Sequence, residues 1–120
     1  RLNHCIFHFP KPYIALMDGI TMGGGVGVSV HARHRVVCEA TMLAMPETGI
    51  GLFPDVGASY FLPRMPGKLG VYMALTGARL RAADCLYGGI ADAFVPVARH
   101  DALIDALRDG AEIEVILKAH

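Results

Sequence analysis

Residues 18–27, D-G-I-T-M-G-G-G-V-G, put five glycines into ten positions between an apolar run and an amphipathic one. A glycine inside a regular element costs roughly 0.5–1 kcal/mol against alanine, so such a cluster marks backbone that must come close to something. A phosphate, an oxyanion or a neighbouring strand would each suffice. Upstream, residues 13–17 (Y-I-A-L-M) form a short apolar run bounded by Pro12 and Asp18-Gly19, the pattern of a strand buried on both faces. Downstream, from Gly24 to about Arg33, the spacing of Val26 and Val30, with basic residues gathered at the far end, predicts a helix. Strand, glycine turn and helix start leave free N–H groups at the positive end of a helix, where an oxyanion can be held. Close packing of strand against helix explains the same glycines. The spacing fits neither G-x-G-x-x-G nor a Walker motif.

Outward from this centre the chain alternates strands with helices. Residues 1–9 carry Leu2, Ile6 and Phe9 at helical spacing, and Pro10 and Pro12 end that helix. Residues 35–38 and 41–44 read as two short strands. Residues 45–59, M-P-E-T-G-I-G-L-F-P-D-V-G-A-S, mix two prolines and three glycines with apolar residues and read as an irregular loop that packs inward. Helices are expected over 68–75, stopped by Gly77, over 81–87, ended by Gly88-Gly89, and over 101–108, stopped by Gly110. Residues 93–97 complete the pattern as a strand. This order predicts an α/β class with crossover connections.

Composition excludes several functions. The chain has 120 residues, 53% hydrophobic and 18% charged, and its eleven basic and eleven acidic residues cancel, so nothing points to nucleic acid or an anionic membrane. No apolar run reaches the roughly 18 residues that a membrane span requires. Cys5, Cys38 and Cys85 are odd in number, widely spaced and without C-x-x-C, which predicts three buried core thiols in a reducing compartment, read as the cytoplasm. The chain begins with Arg1, so a targeting segment before it stays open.

Four side-chain patterns bear on chemistry. G-V-S-V-H (27–31) resembles part of a nucleophile elbow, but His31 replaces the closing glycine and Ser29 falls inside the expected helix. His4 with His8, and His31 with His34, have the spacing of metal ligands on a helix but lack carboxylate neighbours, and they read as surface histidines with no metal. Glu47 follows Met45-Pro46, and Asp55 follows Phe53-Pro54. Two carboxylates in apolar sequence, each set by a preceding proline, suit acid/base or nucleophilic work. Alternatively they cap the short helices that follow, Asp55 before Val56-Gly57 in particular.

Three segments carry a family resemblance in one register: K-P-Y-I-A-L-M-D-G-I-T-M-G-G-G-V-G (11–27), A-M-P-E-T-G-I-G-L-F-P-D-V-G (44–57) and L-T-G-A-R-L-R-A-A-D-C-L-Y-G-G-I-A-D (75–92). Together they resemble the crotonase (enoyl-CoA hydratase/isomerase) superfamily, and within it the 3-hydroxyisobutyryl-CoA hydrolase branch. The resemblance implies a crotonase-like spiral of ββα units, with residues 1–120 the central part of one acyl-CoA-binding domain, incomplete at both ends. It implies a thioester carbonyl held by backbone N–H groups, Gly24 supplying one beside Gly23. Hydratases of the family carry one glutamate at the position of Gly27 and another at Glu47; here the first is missing. Where hydratases usually have glycine, this chain has Asp55, as the hydrolase branch does.

The implied reaction is hydrolysis of a short-chain 3-hydroxyacyl-CoA in valine breakdown, with Glu47 and Asp55 catalytic. Coenzyme A enters as part of the substrate and no cofactor is implied. Partners are the acyl-CoA and, through uncovered apolar surface, a second copy of the chain. An isomerase or hydratase of the same superfamily, or a truncated non-catalytic binding or assembly module, are the alternatives.

Overall fold

The computed structural model describes residues 1–119. Helix α1 (Leu2–Phe7) leads into strand β1 (Ile14–Met17), strand β2 (Ile20–Met22) and helix α2 (Gly24–Ser29). The pattern then repeats with β3 (His34–Val37), β4 (Met42–Ala44), a long loop, α3 (Ala58–Phe61) and α4 (Leu69–Thr76). Helix α5 (Ala82–Tyr87), strand β5 (Ala93–Phe94) and helices α6 (His100–Arg108) and α7 (Ile113–Ala119) follow. The first two turns each add one rung to two separate parallel ladders, β1-β3-β5 in one and β2-β4 in the other, and the third adds β5 to the first ladder alone. The result is a spiral of ββα units. Leu43 and Leu80 join the second ladder's edge to the α4–α5 connection through a pair of N–H···O bonds of 2.9 and 2.7 Å.

Strand β3 is buried on both faces because successive side chains of a strand point opposite ways. Val37 enters a core with Met17, Val26, Leu43, Met45 and Met73, while its neighbour Val36 packs with Val95, Leu103 and Ile116 beneath α6 and α7. Fully burying an aliphatic side chain of this size stabilises by roughly 1.5–3 kcal/mol, so the middle strand anchors both layers. Two polar ties hold the rungs in place. The buried Thr41 hydroxyl donates to the Met17 carbonyl at 2.6 Å and accepts the Cys38 N–H at 2.8 Å, closing the turn after β3 onto β1. At the other end of the strand, Arg35 makes a bidentate pair with Asp92 at 2.7 and 2.9 Å, just ahead of β5.

Several sequence expectations change. The expected helix over 24–33 stops at Ser29, with Val30 as its cap. The stretch 20–22, hidden among glycines, is a strand that pairs in register with residues 42–44. The strand expected over 93–97 covers only Ala93–Phe94, because Pro96 offers no N–H and the chain turns into a 3-10 helix at Val97–Arg99. Helix α7 was not read from the sequence. The loop over 45–59 does not pack inward throughout: Ile50, Leu52 and Phe53 are 76%, 57% and 78% exposed. Cys38 and Cys85 are buried as expected, but Cys5 lies on the outer face of α1 and is exposed. Among the described residues no helix is long and apolar enough to cross a membrane.

Candidate functional site

Strands β2 and β4 run parallel with Met22 opposite Ala44, so the chain leaves both at one edge of their sheet. From β2 it passes Gly23 and begins α2 at Gly24; from β4 it passes Met45 and Pro46 and reaches Glu47. The carboxyl ends of parallel strands are where α/β folds place ligands. Topology therefore brings Gly24 and Glu47 to the same edge.

At that edge the two readings of the glycine cluster separate. Gly23 has φ 51° and ψ −119°, backbone that side-chain-bearing residues rarely adopt. A Cβ built on Gly23 or Gly24 would meet nothing within 4 Å, and one on Gly25 would make only ordinary contact with Thr21. Tight strand-to-helix packing is thus not what requires them. Gly24 is exposed at the first position of α2, where a helix N–H has no partner within the helix.

Gly27 is the exception. A Cβ there would lie 2.8 Å from Cβ of Val56 and 3.3 Å from Oδ1 of Asn3, so position 27 has no room for any side chain as the loop is placed. The close approach the glycine serves is to the loop, not to a strand.

Glu47 opens a 3-10 turn (Glu47–Ile50) and is buried, 8% exposed. Among the described residues its Oε2 has no hydrogen-bond partner, which is uncommon for a buried polar atom and calls for an explanation other than stability. It is the only buried carboxylate among the described residues. Asp55 differs. It is exposed, and the expectation that both carboxylates lie in apolar surroundings fails for it. Capping does not account for either one: the residue at the N-cap of α3 is Gly57, that of the 3-10 turn is Pro46, and neither helix has a side-chain cap.

What ties Asp55 to the rest is the residue after it. The Val56 side chain covers Gly27, and the Val56 carbonyl lies 2.7 Å from Nε2 of His31, just past the end of α2. Sequence reasoning read His31 as a surface histidine, whereas it is half-buried against the loop, and it saw Val56 only as the residue after a possible Asp55 cap. The only local signal was the glycine at 57; the partners stand 25 and 29 positions earlier, beyond any window of periodicity.

The remaining candidates stay apart from this edge. The Ser29 hydroxyl donates to the Gly25 carbonyl at 2.7 Å, a bond within its own helix. His4 and His8 are exposed, their rings 4.3 Å apart, and among the described residues no group of three or more His, Cys, Asp or Glu gathers to hold a metal. An apolar groove of about 300 Å³ lies beside the loop, lined by Phe53, Pro54, Leu62, Val71 and Leu75. Neither Glu47, Asp55, Gly23 nor Gly24 lines it.

Known proteins resemble this chain in sequence and fold. The family model for enoyl-CoA hydratase/isomerase matches residues 1–120. The 3-hydroxyisobutyryl-CoA hydrolase, mitochondrial, of Xenopus tropicalis is 65% identical over 94 residues, which are 78% of this chain and 24% of that protein. Small ribosomal subunit protein mS47 of Neurospora crassa is 59% identical over 91 residues, 76% of this chain and 18% of that one. The crystal structure of an enoyl-CoA hydratase from Rhodobacter sphaeroides superposes with a TM-score of 0.89 at 53% identity, over 92% of this chain and 33% of that chain. The chain thus spans about a quarter of the first relative's length and a fragment of the solved fold. With two parallel ladders climbing one spiral and a family match along the whole of it, the chain belongs to the enoyl-CoA hydratase/isomerase family, the crotonases.

Proposed function

We propose that the protein carrying these residues hydrolyses the thioester of a short-chain 3-hydroxyacyl-CoA, of the 3-hydroxyisobutyryl-CoA type. The observation that carries this reading is Gly27. Adding water across a double bond calls for a base and an acid, and the place of the first hydratase glutamate is filled here by a glycine pressed against Val56. One buried carboxylate remains, Glu47, with an unpartnered oxygen at the edge where α2 begins.

Thioester hydrolysis needs less. Glu47 attacks the carbonyl carbon or takes a proton from the water that does; the carbonyl π electrons move onto oxygen, where the Gly24 N–H receives the charge. Collapse of the tetrahedral intermediate breaks the C–S bond, and the coenzyme A thiolate leaves and takes up a proton. In the nucleophilic route water then hydrolyses the acyl-Glu47 anhydride and restores the carboxylate. Asp55 orients the substrate or the intermediate. The name of the Xenopus relative supports the acyl group, and coenzyme A enters as part of the substrate with no separate cofactor.

The test is thiol release from 3-hydroxyisobutyryl-CoA by the complete gene product, beside hydration of crotonyl-CoA followed by loss of enoyl absorbance. Hydrolysis is expected to dominate; dominant hydration overturns the reading. A second reading, a non-catalytic assembly module, is favoured by the similarity to a ribosomal protein. Absence of thiol release together with co-sedimentation with small ribosomal subunits would select it. The cytoplasm stays our proposal for its location, and organelle fractionation tests it, since the Xenopus relative is named mitochondrial. Self-association through the exposed Ile50, Leu52 and Phe53 is also proposed, and a monomer in size-exclusion chromatography of the complete product excludes it.

A further inference from the structure

His31 follows α2 by two residues, and its Nε2 lies 2.7 Å from the carbonyl oxygen of Val56. A carbonyl only accepts, so Nε2 carries the proton and donates. The imidazole is held from two further sides. Phe61 meets it edge to face, with ring centroids 6.1 Å apart, and Gly57 lies so close beneath it that a Cβ there would stand 2.6 Å from Nε2. Meanwhile the Val56 side chain fills the space over Gly27 and joins the main core. Residues 56 and 57 are therefore clasped onto α2 from both its middle and its end.

The residue so clasped is strained. Val56 has φ 48°, and a β-branched residue at positive φ is a genuine outlier that persists only where its surroundings over-determine it. Relaxation to negative φ would turn the chain about the N–Cα bond of residue 56. Asp55, on the far side of that bond, would swing with it.

We propose that His31 is a positioning residue: by donating to the Val56 carbonyl, with Gly27 and Gly57 admitting the close approach, it holds Asp55 at a set place relative to the helix that starts at Gly24. The inference rests on the reading of Asp55 as the group that orients the substrate. The imidazole acts here as a hydrogen-bond donor of fixed reach and not as a charge, since neutral and protonated rings both donate from Nε2. A glutamine amide reaches a similar point. A leucine of similar size keeps the packing against Phe61 but donates nothing.

The experiment uses the complete gene product with 3-hydroxyisobutyryl-CoA as the probe and compares H31L, H31Q, D55N and the double variant H31L/D55N. In H31L, kcat is expected to fall on the order of 10- to 100-fold with KM within about twofold, as for a displaced catalytic group. H31Q is expected to stay within about threefold of the parent, and H31L to add little once Asp55 is already Asn, because coupled residues are not additive. A kcat in folded H31L within about twofold of the parent overturns the proposal, as do losses from H31L and D55N that simply multiply. If H31L and H31Q lose activity only in step with folded fraction, read by circular dichroism, His31 is merely structural and the proposal fails. Should H31L not fold, Gly57→Ala takes its place, since its Cβ displaces the imidazole; unchanged kcat there overturns the proposal equally. A D55N that works like the parent overturns the reading of Asp55 and this inference with it, whereas an impaired D55N beside an unaffected H31L overturns this inference alone.

Discussion

The turn after β2 and the turn after β4 leave one edge of one sheet, yet they are built on opposite principles. The first is short and bare: Gly23 takes a conformation open to glycine, Gly24 starts a helix, and the space where a Cβ would stand on either is open. The second is long and furnished, with a buried, unpartnered carboxylate at Glu47 and a strained valine at position 56. On the proposed reading, the difference teaches how the site would divide its labour. One turn offers main-chain N–H groups and needs no side chains; the other offers side chains and needs its main chain held.

The largest effect is expected at the furnished turn. Glu47→Gln keeps the shape and removes the base or nucleophile, so thiol release should fall on the order of 10²–10⁴-fold while binding of the CoA ester stays close to the parent. Activity within tenfold of the parent, in stopped assays with 3-hydroxyisobutyryl-CoA, would remove Glu47 from the mechanism.

At the bare turn the side chain should not matter and the N–H should. Gly24→Ala has open space for its Cβ and is expected to stay within about threefold of the parent, whereas Gly24→Pro, tolerated at a first helical position, loses the donor and on the order of 10²–10³ in rate. Equal activity of the two variants, both shown folded by circular dichroism, breaks the comparison.

Where the two turns touch, exchange of their principles should fail. Gly27→Glu supplies the carboxylate a hydratase would use, but its Cβ meets Val56 at 2.8 Å. Overpacking of this kind costs about 1–3 kcal/mol, so a lower Tm and reduced hydrolysis are expected, with no gain in crotonyl-CoA hydration. A stable variant that hydrates crotonyl-CoA would show the loop to be more yielding than its contacts imply.

The smallest effect lies away from both turns. Burial, and then the nearby Asp84 carboxylate, push the Cys85 thiol from the usual 9.0 up to about 12. Below pH 9 both folded and unfolded chains keep that proton. As pH rises from 9 towards 12 only the unfolded chain releases it, so this group's contribution to stability is lost through that window. At pH 8 an aromatic disulfide reagent is expected to find one fast thiol, Cys5, and to reach Cys38 and Cys85 only after denaturation. Three fast thiols in the native protein would contradict the burial of the core.

Much of the fold was legible because its signals are local. Helix stops at Gly77, Gly88-Gly89 and Gly110 and the apolar run of β1 depend on residues within a few positions of each other. Strand β2 was hidden because three residues beside a glycine run carry no period, and it exists only by pairing with β4. Cys5 misled for a related reason: burial is a property of a face, and the face of α1 that turns inward presents Ile6 instead.

The site divides the same way. Residue type and order by themselves determined that a glycine turn follows a strand and opens a helix, that a glutamate and an aspartate stand eight residues apart in an apolar loop, and that the chain resembles the crotonases. Only the tertiary structure decided which glycines are open and which is pressed, that Glu47 is buried while Asp55 is not, and that Asp55 is tied to α2 through Val56 and His31. The physical reason is reach. Periodicity and turn chemistry act over a few residues of chain, whereas exclusion of a Cβ, loss of a carboxylate's partners and a hydrogen bond across 25 positions are set by which surfaces the spiral brings together.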